Sequence, residues 1–511
     1  MKRILKSLFS LFVAIVLPSF TLFADGQLID QVTKRSMDVF KVPGIAVAVV
    51  KDGKIVHMKG YGVASLETKE PVDENTLFAI ASNSKAFTSA ALSILVKENR
   101  IKWDTRVIDI IPEFRLSDPY ITEAFTIRDL LSHRGGLGLG AGDLMIWPDG
   151  SDFTTKDVIY NLRFLKAESP FRTKYNYNNL MFIVAGEVIA RVSGMSWEDF
   201  IEKRIMAPLK MDRSVASFDR LRDKRNVIDP HAPVNGRVEV IKMRLTPMAN
   251  AAGGIYSSVS DMVKWVSAQM GKREFEDTWM PHTIIPVRGP GSYKTNFSAY
   301  ALGWRVSDVE GYKVVTHTGG LSGVLTQVTM IPELNLGIIV FTNQQSSEAF
   351  TSITNTILDS YFGIKGKDRV NENFVRLESA LEEERRVVSD VEKVIGSVGI
   401  NIVKDNLVTY CGTFSDNWLG KVNIELKGDR LRFTSLRSPV LTGEMFWYKG
   451  NSFIVKWDDR TFNADAYIMF TLNSEGVPDG FTMKAISPLT DFSYDFHDLQ
   501  FSRLLLNLES N

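Results

Sequence analysis

A single cysteine, Cys411, stands among 511 residues. Its isolation excludes an intramolecular disulfide and a zinc site built from cysteines, and such a thiol is expected to behave as a small buried apolar side chain. Histidine is also scarce, with six copies. Four of them, His57, His231, His282 and His497, have no metal-ligand spacing. An excess of one charge is missing too, since 60 basic residues face 60 acidic ones. With no dense basic run carrying interleaved aromatics, a nucleic-acid partner is not expected. No repeat or low-complexity tract is evident.

What remains is a composition of 44% hydrophobic and 23% charged residues, that of a folded chain too long for one ordinary core. The first 24 residues stand apart. Lys2, Arg3 and Lys6 precede an apolar run over 8–17, interrupted by Pro18 and Ser19, and Leu22, Phe23 and Ala24 offer a cleavage site. This three-part pattern predicts a secretory signal; the uninterrupted run is short for a permanent membrane anchor. Cleavage would carry away three basic residues and no acid, so 60 basic residues become 57 against 60 acidic ones, a net charge of −3. The expected location is secreted or periplasmic, with no stable membrane anchor after cleavage.

Beyond the signal, "LIDQVTKRSMDVF" has helical spacing, and "PGIAVAVVKDGKIVHMKGYG" reads as two strands joined at Asp52 and Gly53. A helix is predicted from about Ser84 to Val96, and another over "NLMFIVAGEVIARVSG" with Gly194 as its C-cap. Strands return in "YALGWRV", "YKVVTHTG", "GVLTQVTMI" and "LGIIVFTN", followed by a helix ending at Gly363. Distant strand segments with helices between them predict an α+β domain: one antiparallel sheet flanked by helices and a helical lobe. Residues 365–405 read as a charged helical linker with a solvated face. Alternating strands with tight turns over 406–511 predict an antiparallel β-barrel or sandwich. The expected division is 1–24, 25–364, 365–405 and 406–511.

Chemistry concentrates in three short stretches. Ser82 and Lys85 in "SNSK" share a helix face, which can bring a hydroxyl and an amine together; an N-cap serine followed by a solvated lysine has the same spacing. In "YNYNNLMF", Tyr177 can relay protons and Asn179 can hold a carbonyl. "VVTHTGGLSG" takes His317, Thr318, Gly319 and Gly320 from a strand into a turn. In that order, as S-x-x-K, Y-x-N and H-T-G, these motifs resemble the β-lactamase-related serine hydrolases, the group of class C β-lactamases, D-aminopeptidases, R61-type DD-peptidases and related esterases. The likeness covers about 25–363 and includes "PGIAVAVVKDGK", "TIRDLLSHRGGL" and "AAGGIYSS". It implies that Ser82 forms an acyl-enzyme and that Lys85 and Tyr177 move protons. It further implies that Asn179, His317, Thr318 and Gly319 bind substrate, and that the N–H groups of Ser82 and Gly320 form an oxyanion hole. No metal or organic cofactor is implied.

Several features depart from the pattern. His317 stands where classical β-lactamases and penicillin-binding proteins carry Lys, and a histidine is only partly charged near neutral pH. "HRGGL" has Arg134 and Gly135 where many relatives have Thr and Ser, and His133 is expected to be a structural hydrogen-bonder. "SDN" at 415–417 matches a class A motif in the wrong place. A G-x-S-x-G elbow is absent around Ser82, against an α/β-hydrolase. The C-terminal segment resembles the lipocalin-like barrel appended to some of these hydrolases. The expectation is an exported serine hydrolase cleaving a small amide or ester, such as a D-amino-acid peptide or ester. A β-lactamase or penicillin-binding DD-peptidase is the alternative, and a non-catalytic cell-wall peptide-binding protein or scaffold a further one. Its partner would be a small-molecule or peptide substrate, with homo-oligomer formation left open.

Overall fold

The computed structural model describes residues 26–504, apart from 235, 243–244, 272–274, 290 and 398–403. The segment read as a signal lies outside the described residues. The hairpin predicted at Asp52 and Gly53 forms the start of the main sheet: β1 (Gly44–Lys51) and β2 (Lys54–Gly62), with both turn residues left-handed at φ 51° and 72°. The sheet continues with β3 (Thr283–Ile284), β4 (Ser298–Tyr300), β5 (Arg305–Val309), β6 (Tyr312–Leu321), β7 (Val324–Ile331) and β8 (Leu336–Thr342). Their order is β2-β1-β8-β7-β6-β5-β4-β3, so β1 lies beside β8, nearly 300 positions away in the chain, from Ile45 opposite Thr342 to Lys51 opposite Leu336.

β1 alternates between two cores. Ile45, Val47 and Val49 pack with α1 (Gly26–Phe40) and α5 (Ser347–Phe362), while Ala46, Ala48 and Val50 join the larger core on the other face. Burial on both faces explains its unbroken apolar run. α4 (Val259–Gly271) packs on the second face, and α2 (Ser84–Lys97) and α3 (Leu180–Ser193) join the same core. The stretch expected as one strand, "YALGWRV", is divided between β4 and β5. A turn at Gly303 intervenes because that residue sits against the backbone of Lys85 and the hydroxyl of Ser89 on α2.

The charged segment forms α6 (Arg369–Ser397), a helix of 29 residues anchored at both ends. Buried Arg369 holds Asp359 of α5 through two bonds of 2.7 and 2.8 Å, and Asn373 donates to Ser352 at 2.9 Å. Farther along, Val391 packs on Ile454 and Ile486. Those two belong to the C-terminal unit, a closed eight-stranded antiparallel barrel. It comprises β9 (Gly412–Asp416), β10 (Gly420–Lys427), β11 (Arg430–Ser435), β12 (Thr442–Lys449), β13 (Ser452–Trp457), β14 (Ala466–Leu472), β15 (Pro478–Ala485) and β16 (Gln500–Arg503). Phe414, Phe433, Phe470, Phe481 and Phe501 pack against one another inside it, as expected where a small barrel is filled by side chains. Cys411, just before β9, is half-buried rather than fully enclosed. Asp416 of the "SDN" stretch accepts the amides of Trp418, Leu419 and Gln500, a role within the barrel.

Candidate active site

Ser82 occupies a tight 3-10 turn, Ala81–Asn83, immediately before α2. Ala81 is left-handed at φ 49°, a conformation that costs a non-glycine residue of order 1–3 kcal/mol and is typically retained where geometry matters. One helical turn on, Lys85 is fully buried. Its Nζ donates to Ser82 Oγ at 3.1 Å, to Asn179 Oδ1 at 2.8 Å and to the Ala252 carbonyl at 2.8 Å. The solvated-lysine alternative is thereby excluded. Burial lowers the Lys85 pKa to about 7, opposed by the charge of Asp143.

Tyr177 and Asn179 lie ahead of α3, on the far wall of the cleft. Burial pushes the Tyr177 phenol well above its usual range, and Ser82 beside it pulls in the other direction. Tyr177 therefore holds its proton at neutral pH. Its ring lies 4.9 Å from Lys85 Nζ and 4.2 Å from the buried ring of His133. His133 Nδ1 accepts the Asn178 amide at 3.1 Å, and burial keeps the ring neutral. It braces the turn carrying Tyr177. Asn179 Nδ2 donates to the buried carboxylate of Asp143 at 2.7 Å.

The third wall is the end of β6. Pairing with β5 stops at Thr316, so from His317 onward β6 is paired with β7 alone. Its other edge faces the Ser82 turn. Gly319 is required by packing: a Cβ there would stand 2.2 Å from the Ile80 carbonyl and 2.5 Å from Thr326 Oγ1. Gly320 has only Leu325 within reach, at 3.1 Å. His317 is buried between the Tyr300 hydroxyl (2.8 Å) and the Thr318 carbonyl (2.6 Å), with its pKa lowered to about 3 by burial and the nearby cations Lys85 and Arg305. It is neutral rather than partly charged, as the sequence suggested, because neither neighbour at its ring nitrogens is an acid.

Ser82, Tyr177, Asn179, His317, Thr318, Gly319 and Gly320 line one cavity of about 510 Å³. Arg305 on β5 lines it as well, its guanidinium donating to Tyr175 at 2.9 Å. Among the described residues, Glu168, His497 and Asp498 form a grouping whose ligand-type atoms lie within 4.8 Å of one another, but none of the three lines this cavity.

A family model described as beta-lactamase matches residues 29–360. The chain belongs to the beta-lactamase family. A second model, a domain of unknown function (DUF3471), matches 401–503 of this beta-lactamase-family protein. Among its curated relatives is the "Unguisins hydrolase ungD" of Aspergillus violaceofuscus, 32% identical over 371 residues, covering 66% of this chain and 64% of that protein. "Protein flp" of Staphylococcus aureus is 24% identical over 332 residues, covering 63% of each. The chain thus aligns with somewhat under two-thirds of the length of these relatives. The octameric penicillin-binding protein homologue of Pyrococcus abyssi superposes with a TM-score of 0.59 at 21% identity, covering 94% of this chain and all of that one. A class C beta-lactamase gives 0.55 at 22% identity over 67% of this chain and 96% of its own. Both likenesses establish the fold.

Sequence reasoning passed over Asp143, which stands behind Asn179, and over Arg305 and the barrel residues Asp491, Phe492 and Ser493, which line the cavity of this family member. A signal for the first existed. The glycines of "GLGLGAGD" ahead of Asp143 mark a crowded turn, and a Cβ on left-handed Gly140 would lie 2.6 Å from the Phe492 carbonyl.

Proposed function

We propose that this beta-lactamase-family protein is an exported serine hydrolase that cleaves a small amide or ester, of the D-amino-acid peptide or ester type, through an acyl-serine. The observation that carries the reading is the desolvated Lys85 amine 3.1 Å from Ser82 Oγ. A neutral Lys85 takes the Ser82 proton as Oγ attacks the substrate carbonyl, and the N–H groups of Ser82 and Gly320 hold the resulting oxyanion. As the intermediate collapses, the carbonyl–leaving-group bond breaks. The departing amine or alkoxide takes a proton from Tyr177, which Lys85 replenishes. Water then adds to the acyl carbon, losing a proton to Lys85, and Ser82 leaves with one. Tyr177 acts as a donor because its environment keeps the phenol neutral.

The non-catalytic alternative is disfavoured by the cost of keeping an amine buried without a use for its lowered basicity. The β-lactamase alternative loses the cation expected at His317, yet Arg305 offers a guanidinium to a substrate carboxylate in the same cavity. The test is labelling by a fluorophosphonate probe, followed by a panel of D-amino-acid amides, p-nitrophenyl esters and a chromogenic cephalosporin. Labelling of the wild type that disappears in Ser82→Ala supports the reading. A wild type that stays unlabelled and turns over none of the panel overturns it.

A further inference from the structure

The Asp143 carboxyl is fully enclosed. Its Oδ2 accepts two bonds, from Asn179 Nδ2 at 2.7 Å and from Ser493 Oγ at 2.9 Å. Asn179 in turn presents Oδ1 to Lys85 Nζ at 2.8 Å, and Lys85 donates to Ser82 Oγ at 3.1 Å. The bonds run without a gap from the C-terminal barrel to the nucleophile. Their polarity has a cause. When ionised, Asp143 only accepts, and the Lys85 ammonium only donates, so the Asn179 carboxamide turns its NH2 to Asp143 and its carbonyl oxygen to the lysine. Reversed, the carboxamide would set its N–H against that of Lys85.

Ser493 comes from the segment between β15 and β16, and this segment is held tightly against the Asp143 turn. The Gly142 amide donates to Asp495 Oδ2 at 2.6 Å. Phe492 presses its carbonyl against Gly140 and meets the Tyr177 ring edge-on at 5.8 Å. Asp491, Phe492 and Ser493 thereby close one side of the cavity.

We propose that Asp143 and Ser493 are a positioning pair: Ser493 of the barrel fixes the Asp143 carboxyl, which orients Asn179 and through it Lys85, so the docked barrel completes the active site. This rests on the reading of Ser82 as nucleophile. Neither member touches the reacting atoms. The titratable and charged groups facing Lys85 are Asp143, Tyr177, His133 and His317; those facing Asp143 are Lys85, Tyr177, Asp491 and Asp495. Burial raises the Asp143 carboxyl to about 7 against the pull of Lys85 and its two hydrogen bonds.

The test measures fluorophosphonate labelling rate against pH in the full chain, with thermal denaturation alongside. Ser493→Ala is expected to slow labelling about tenfold at every pH, a loss of about 1.4 kcal/mol, and Ser493→Thr to restore most of it. Asp143→Asn removes the negative charge that favours the ammonium, so the pH midpoint of labelling should move down. A purely structural role would lower thermal stability and leave the midpoint unmoved. Wild-type rates in Ser493→Ala, with an unmoved midpoint in Asp143→Asn, would overturn the proposal. Should Asp143→Asn fail to fold, the Ser493→Ala and Ser493→Thr pair decides alone. A wild type that resists labelling would sink the nucleophile reading instead. The pair is then judged by an NMR titration of 15N-lysine: a Lys85 midpoint lowered in Asp143→Asn supports it, and an unchanged one rejects it.

Discussion

An amine enclosed as Lys85 is, with its pKa near 7, accepts a proton only above that value. Activity is therefore expected to rise with pH through about 7 and level off above it, as the interacting Lys85 and Asp143, both held near 7, lose their protons. A kcat/KM profile against pH checks this; rates that are flat from about pH 5 to 9 would remove Lys85 as the base. His317, held near 3, adds no limb in this range. Arg305 belongs to the same scale. Because it lines the cavity as a cation, Arg305→Met is expected to raise KM by about tenfold for carboxylate-bearing substrates, the worth of one charge-assisted bond. Neutral p-nitrophenyl esters should change by less than about twofold, and paired KM measurements decide. The motif residues were recognisable because they repeat a known order. Arg305 was not, since an arginine in a strand of alternating residues has no mark that separates a cavity wall from a solvated face.

At the scale of elements, the site is the meeting of a helix start, a helix-entry turn and a strand end. The Ser82 turn lies against β6 so closely that Gly319 has no room for a side chain, whereas a Cβ at Gly320, one residue on, would meet only the movable end of Leu325, at 3.1 Å. Gly319→Ala is expected to cost about 1–3 kcal/mol through overpacking and to disable the site by displacing the turn. Gly320→Ala should leave stability within about 0.5 kcal/mol, with its N–H still in place. Denaturant unfolding and labelling of both variants test the contrast. Hairpin, helices and barrel strands were legible because periodicity and turn residues are local properties. The division of "YALGWRV" was not, because the turn at Gly303 answers to α2, an element some 200 residues earlier.

For the molecule as a whole, the barrel supplies part of the cavity wall and α6 ties it to α5. The barrel meets the helical lobe through a buried bond, Asn161 Nδ2 to the Trp418 carbonyl at 2.9 Å, and through the half-exposed Arg437 beside Asp152 at 2.7 Å. Asn161→Ala leaves that carbonyl unpaired and is expected to destabilise by about 1–3 kcal/mol. Arg437→Ala should cost under about 1 kcal/mol, as exposed ion pairs do. Thermal denaturation of the two variants ranks them, and the reverse order would mean that the docking is electrostatic. Within the segment expected as a charged helical linker, 369–397 form α6. Its anchoring by Arg369 and Val391 depends on partners at 359, 454 and 486, which local spacing does not record.

By itself the sequence determined the element types, the α+β domain followed by a barrel, and the three motifs, since each is written in local spacing and residue order. Only the tertiary structure decided that Lys85 is dry, that His317 is neutral, and that Asp143 and Ser493 stand behind Asn179. Those properties arise from desolvation and from contacts between segments up to 350 positions apart, and a linear pattern carries no record of either.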